Sequence, residues 1–169
     1  SQFSLEASLK TSALSNSCYR VYPIPVESPN HGTRSLVMTP WTKAPNASPF
    51  GWHSDGQFNY RSSQGNNVDA YEDMDNDDMP TGGDAARAVG GSALNFDFAY
   101  NPSNTPAQNK NAAITNLFYW NNMMHDVWYQ YGFTEAAGNF QYNNVNRGGQ
   151  DLDNVIAEGI DYIDGARNN

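Results

Sequence analysis

Three histidines, one cysteine and eighteen acidic side chains are the groups in this 169-residue sequence that could hold a metal or move a proton. The acids carry the most suggestive spacing. In Glu72-Asp73-Met74-Asp75-Asn76-Asp77-Asp78 the carboxylates of Asp73, Asp75 and Asp77 alternate, and Asp84 falls at the twelfth position counted from Asp73. Loops that wrap calcium place oxygens at positions 1, 3, 5 and 12. The sixth position here is Asp78 rather than glycine, the twelfth is a short Asp rather than Glu, and no helical pattern flanks the run. It is therefore not an EF-hand. Two readings stand: a calcium site of another shape, with Asp73, Asp75, Asp77 and Asp84 as its ligand candidates, or a solvated acidic loop.

The histidines are less suggestive. His125 is followed by Asp126 inside a helical pattern, where Asn121 and His125 interrupt an apolar stripe. Buried polar groups need hydrogen-bond partners, so the pair reads either as a tie from this helix to another segment or as a metal ligand and base. No second histidine stands four residues away, as a zinc-binding HExxH helix requires. His31 and His53 lie among Gly, Asn and Ser and read as turn or surface residues. Cys18 is the only cysteine, which excludes a disulfide within the chain. It reads as a small buried hydrophobe or as one half of a bond to a part not present. No nucleophile elbow and no phosphate-cradling glycine loop occurs.

Several elements must position these groups. Residues Asn111–Tyr131 repeat apolar side chains at Ile114, Leu117, Phe118, Met124, Val127, Trp128 and Tyr131, an amphipathic helix with Asn111 as N-cap and Gly132 as C-terminal stop. Short strands are expected at Tyr19–Pro25, Ser35–Met38, Leu94–Phe98 and Asn154–Glu158. Between Trp41 and Asn67 the chain is dense in Pro, Gly, Asn and aromatics, which suggests irregular hairpins pinned by Trp41, Phe50, Trp52, Phe58 and Tyr60. Thr134–Gly138 reads as one helical turn. Strands with one long helix give an α+β fold. Residues 1–18 read as a Ser-rich linker.

Composition narrows the function class. The net charge is −9 with only nine Lys and Arg, which argues against nucleic-acid binding. Charged residues are sparse at 16% while aromatics reach 13%, the balance of a loop-rich extracellular protein. No apolar run is long enough to cross a membrane. The start, Ser1-Gln2-Phe3-Ser4, has no basic region or apolar core, so a leader is expected to have been removed.

The run from Ala112 to Asp126, AAITNLFYWNNMMHD, and its continuation Tyr131-Gly132-Phe133-Thr134-Glu135-Ala136-Ala137-Gly138-Asn139-Phe140-Gln141 resemble the fungalysin family of secreted zinc metalloproteases. So do Tyr22-Pro23, Ser48-Pro49-Phe50-Gly51-Trp52, Asp55-Gly56, Gly65-Asn66-Asn67, Asn143-Asn144, Arg147-Gly148-Gly149 and Asn168-Asn169. The bacterial branch looks closest. The resemblance implies the β-rich N-terminal subdomain, residues 19–169, of a thermolysin-like catalytic domain, preceded by a pro-region junction in residues 1–18. It implies zinc held by an HExxH helix and a downstream Glu, expected beyond Asn169, so that this stretch alone is inactive. It also implies that Asn169 hydrogen-bonds a peptide substrate along an edge strand, and that His125 and Asp126 form a structural pair. Protein or peptide substrates, a propeptide and the C-terminal half of the catalytic domain are the implied partners. The alternative is a non-catalytic, calcium-stabilised binding module whose face is the aromatic loop Trp41–Tyr60.

Overall fold

The computed structural model describes residues 17–160. Five strands, β1 (Cys18–Val21), β2 (Ser35–Met38), β3 (Val68–Glu72), β4 (Asn95–Phe96) and β5 (Val155–Gly159), accompany one long helix, α1 (Lys110–Gln130). The fold is α+β. One sheet has the order β2-β1-β4, with β1 antiparallel to β2 and parallel to β4. The other pairs β3 with β5 in parallel, from Val68 opposite Val155 to Glu72 opposite Gly159. Parallel neighbours need long crossovers, and α1 lies in the crossover from β3 to β5.

The inner face of α1 packs on β1, β3 and β5. Ile114, Phe118 and Tyr119 meet Tyr19 and Val21 of β1, Val68 and Ala70 of β3 and Ala157 of β5, with Trp52 and Phe96 closing the cluster. Full burial of one such side chain stabilises by about 1.5–3 kcal/mol, so the aromatic residues dominate this core. The helix ends as expected. Gly132 takes φ 101°, Phe133 N–H donates to the Trp128 carbonyl at 3.1 Å, and Gly132 N–H donates to Tyr129 at 3.1 Å. That pair of bonds satisfies the last free carbonyls.

The start of α1 differs from expectation. Asn109 holds the cap position, α1 begins one residue before Asn111 behind a 3-10 turn at Ala107–Asn109, and the Asn109 amide is bonded to the backbone of Asn101 instead of capping. The expected apolar stripe also divides. Ile114 and Phe118 are buried, whereas Met124, Trp128 and Tyr131 are exposed. The positions that α1 buries in its second half are Asn122 and Asp126. Hydropathy alone had placed the rings inside; a buried polar network took those positions.

β3 lies where the sequence suggested only acidic loop. Its first four residues are buried, because Arg87 Nε and Nη2 each donate to an Asp69 carboxylate oxygen at 2.6 Å and so neutralise the one charge that β3 would otherwise bury alone. Of the five aromatics expected to pin Trp41–Asn67, Trp52 is fully buried and Phe58 is left exposed.

Candidate functional site

Asp126 is the hub of a buried polar network under α1. Its Oδ1 accepts from Ser48 Oγ at 2.6 Å and lies 3.1 Å from His125 Nδ1; its Oδ2 accepts from Trp52 Nε1 at 2.8 Å. Ser48 Oγ in turn accepts from Asn67 Nδ2 at 3.0 Å, and the same amide donates to Asn122 Oδ1 at 3.1 Å. The other ring nitrogen of His125 meets Asn139 Nδ2 at 3.4 Å. Thus the helix is tied to the loops at residues 48–52, 67 and 139 by side chains with every strong acceptor of Asp126 engaged. Bonds to a charged acceptor contribute about 1.5–3 kcal/mol each. The arrangement positions loops; neither nitrogen of His125 faces an open site.

His53 is not the surface residue that its Gly/Asn/Ser setting suggested. It is 1% exposed. Its ring packs against both Phe96 and Phe118, with centroids 4.9 and 4.8 Å away. Nδ1 lies 2.9 Å from the Ser62 carbonyl and Nε2 lies 2.7 Å from Tyr19 Oη. A carbonyl only accepts, so Nδ1 carries the proton and Nε2 accepts from the Tyr19 hydroxyl. Burial drives the His53 pKa down to about 4, so the ring is neutral. Burial likewise pushes the Tyr19 phenol up. His31 is exposed and bonded to Ser28.

The acidic residues gather at the ends of β3 and β5. Ligand oxygens of Asp73, Asp75 and Asp77 lie within 4.8 Å of one another, and so do those of Asp73, Asp78 and Glu158. Asp73 is shared by both groups and is buried. Its two oxygens accept from the backbone of Asp77 at 3.0 Å and Asp78 at 3.3 Å. Asp77 accepts from Met79 N and Thr81 Oγ1, both at 2.9 Å. Tyr71 Oη donates to Glu158 at 2.9 Å, and burial, reinforced by that carboxylate, raises the phenol pKa. Asp84 belongs to neither group; it accepts from Ser62 Oγ at 2.9 Å. Asp78 and Glu158 join through the fold, and Glu158, 85 residues from Asp73 in sequence, had no signal in the local spacing. Hard cations take such all-oxygen sets. Asn169 lies outside the described residues.

A family model described as fungalysin metallopeptidase (M36) matches residues 18–169. The chain belongs to the fungalysin metallopeptidase family. It is 41% identical over 151 residues to "Extracellular metalloproteinase 1" of Arthroderma gypseum, covering 88% of this chain and 23% of that protein. Against "Extracellular metalloproteinase 5" of Trichophyton tonsurans the identity is 38% over 154 residues, 88% of this chain and 24% of the relative. Against "Probable extracellular metalloproteinase 2" of Arthroderma benhamiae it is 39% over 146 residues, 85% and 22%. This fungalysin chain therefore spans about a quarter of the length of the curated relatives it matches. These relatives are fungal, and they give no support to the bacterial branch expected from sequence.

A fungalysin metallopeptidase implies a metal, zinc in the usual case. The described residues do not fit zinc, and His31 is exposed with only Ser28 and Glu27 against its ring. Zinc sites are built on histidine and cysteine nitrogen and sulfur, with carboxylates in support. Both ring nitrogens of His53 and of His125 are already engaged, and neither carboxylate group includes a histidine. The binding face of the non-catalytic alternative also loses one of its two tryptophans, since Trp52 is committed to the core of this fungalysin.

Proposed function

We propose that this chain is the β-rich N-terminal part of the catalytic domain of a secreted zinc metalloendopeptidase that hydrolyses peptide bonds in extracellular proteins. The family match over residues 18–169 carries the reading, supported by relatives named as extracellular metalloproteinases. Residues 19–169 form the subdomain, and residues 1–18 the junction to a pro-region. Zinc and its ligands reside in the remainder of the family-length chain, which the propeptide accompanies before maturation. Protein substrates lie along an edge strand on which Asn169 hydrogen-bonds the peptide backbone. Among the described residues no helix is long and apolar enough to cross a membrane.

Within this frame, Asp73, Asp75 and Asp77 hold calcium and brace the junction of β3 and β5. Their proximity favours it, since three carboxylates within 4.8 Å repel until a cation screens them.

The family-length protein should cleave casein, lose that activity in a chelator and regain it with zinc. The 169-residue chain should not cleave it. Chelator-sensitive cleavage by the 169 residues alone would place the site here and sink the assignment. Metal-independent or absent cleavage by the long protein would sink the protease reading itself.

A further inference from the structure

Phe58, in the aromatic loop Trp41–Tyr60, has no place in the core. It is 63% exposed, and it shares a cleft of about 280 Å³ with Tyr142, 43% exposed, and Leu152, 68% exposed. Gln57, Asn143 and Asp151 complete the lining. The walls are fixed from below. Buried Asp55 holds the turn at Phe58: its Oδ1 accepts from Gln57 N and Phe58 N, both at 2.7 Å, and its Oδ2 accepts from Tyr60 Oη at 2.7 Å. On the other wall Tyr142 N donates to the Asn66 carbonyl at 2.7 Å, and Leu152 N donates to the Tyr142 carbonyl at 3.0 Å. Asn143 Nδ2 joins the walls by donating to the Asp55 carbonyl at 2.7 Å. Two rings and a branched side chain are thus kept in water by backbone that does not let them turn inward. An exposed apolar patch rimmed by polar groups marks a binding surface.

The charge of the cleft selects its occupant. Asp151 is exposed; one carboxylate oxygen accepts from Asn144 N at 2.6 Å, and the other takes no protein donor among the described residues. No Lys, Arg or His lines the cleft, and the whole chain carries −9. An anion is repelled here. A neutral apolar group satisfies the rings and leaves the carboxylate idle. A guanidinium meets both, because it is planar and weakly hydrated, lies on aromatic faces and pairs with carboxylates. We infer that this cleft receives the arginine side chain of an extracellular peptide or protein, its guanidinium at Asp151, Phe58 and Tyr142 and its methylene stem along Leu152. The site goes beyond the protease reading: it is built wholly from residues 57–152 and needs no zinc centre.

Butylguanidinium and its uncharged isostere butylurea test this on the family-length protein, labelled with fluorinated phenylalanine and tyrosine and followed by fluorine NMR. Butylguanidinium should shift the Phe58 and Tyr142 resonances and bind at least about fivefold tighter than butylurea. Added salt should narrow that gap, and Asp151→Asn, which keeps the oxygen facing Asn144 N, should close it. Acetyl-Gly-Arg-Gly-amide should show the same preference over its citrulline counterpart. Equal binding of the charged and uncharged probes, or a charge preference that survives Asp151→Asn, overturns the inference. So does a preference confined to butylguanidinium and absent from the peptide pair. Ring resonances that respond to no probe, as when another part of the polypeptide or a second copy fills the cleft, overturn it as well. Casein cleavage is measured on the same preparation. An active, chelator-sensitive protease with unresponsive rings refutes the arginine site alone, whereas an inactive protein whose rings respond refutes the protease reading alone.

Discussion

His53 should make this fold sensitive to mild acid. The ring is buried against Phe96 and Phe118, it accepts from Tyr19 and donates to Ser62, and its pKa is held at about 4 by burial. In the unfolded chain the same imidazole titrates near 6.5. Between these two values the unfolded state binds a proton that the folded state refuses, so stability rises with pH there and falls as pH drops. The contribution is fully present above pH 6.5 and is lost progressively as pH falls through the folded value. One pKa unit corresponds to about 1.4 kcal/mol, so the window from 6.5 to 4 removes about 3 kcal/mol. That is a large share of the 5–15 kcal/mol typical of a domain. The measurement is urea unfolding at a series of pH values for the native protein and for His53→Gln. Carboxylate contributions are common to both, so the difference between the two curves isolates the imidazole. The native protein should be steeper by about one proton across this window, and the variant less stable at pH 7 through lost stacking and bonds. A folded-state titration of His53 by NMR near 6.5, or parallel pH curves for the two proteins, would refute the reasoning.

Other perturbations follow from the same geometry. Asp69→Ala leaves Arg87 buried without its partner and should cost about 3–5 kcal/mol of unfolding free energy, read from the urea midpoint; a loss under 1 kcal/mol would contradict the buried pair. Gly65→Ala builds a methyl 1.7 Å from the Trp52 carbonyl oxygen, and should cost about 3 kcal/mol or prevent folding; an unchanged melting temperature would contradict that close approach. Asp126→Ala strips Ser48, Trp52 and His125 of a shared acceptor, and a loss of about 3 kcal/mol is expected, against none if the network is idle. Calcium at a hundred times its dissociation constant should stabilise by about 2.7 kcal/mol, a melting shift of roughly 5–10 °C. Asp75→Asn should abolish most of that shift, and its absence in the native protein would remove calcium from the acidic loop.

The sequence exposed α1, its glycine stop and four of the strands because each rests on local periodicity. It hid β3, because Asp69 and Glu72 made a buried strand look like loop and the compensation of Asp69 by Arg87 lies 18 residues away. It misplaced His53 for a related reason: the residues that enclose it, Tyr19, Phe96 and Phe118, are remote in sequence, and the residues that follow it, Ser54, Asp55 and Gly56, read as a turn. In the acidic loop, the alternation of Asp73, Asp75 and Asp77 was visible. Glu158 was not, since it joins only through the pairing of β3 with β5. The twelfth-position argument that brought in Asp84 assumed a loop closed on itself, whereas this loop closes against a second strand.

The two parallel pairings have a kinetic consequence. Cys18 and Asn95 stand 77 residues apart, and Tyr71 and Glu158 stand 87 apart. Neither ladder can begin until its far partner exists. At common translation rates of 5–20 residues per second, β3 waits roughly 4–17 s after leaving the ribosome before β5 emerges. During that interval the edge of β3 that later meets β5 stays unpaired, and closing so long a loop is slow even afterwards. Folding of this chain is thus expected to be late and concerted, with the β1–β2 hairpin and the local bridges Ser54–Asn59 and Gln64–Asp69 as pairings available early.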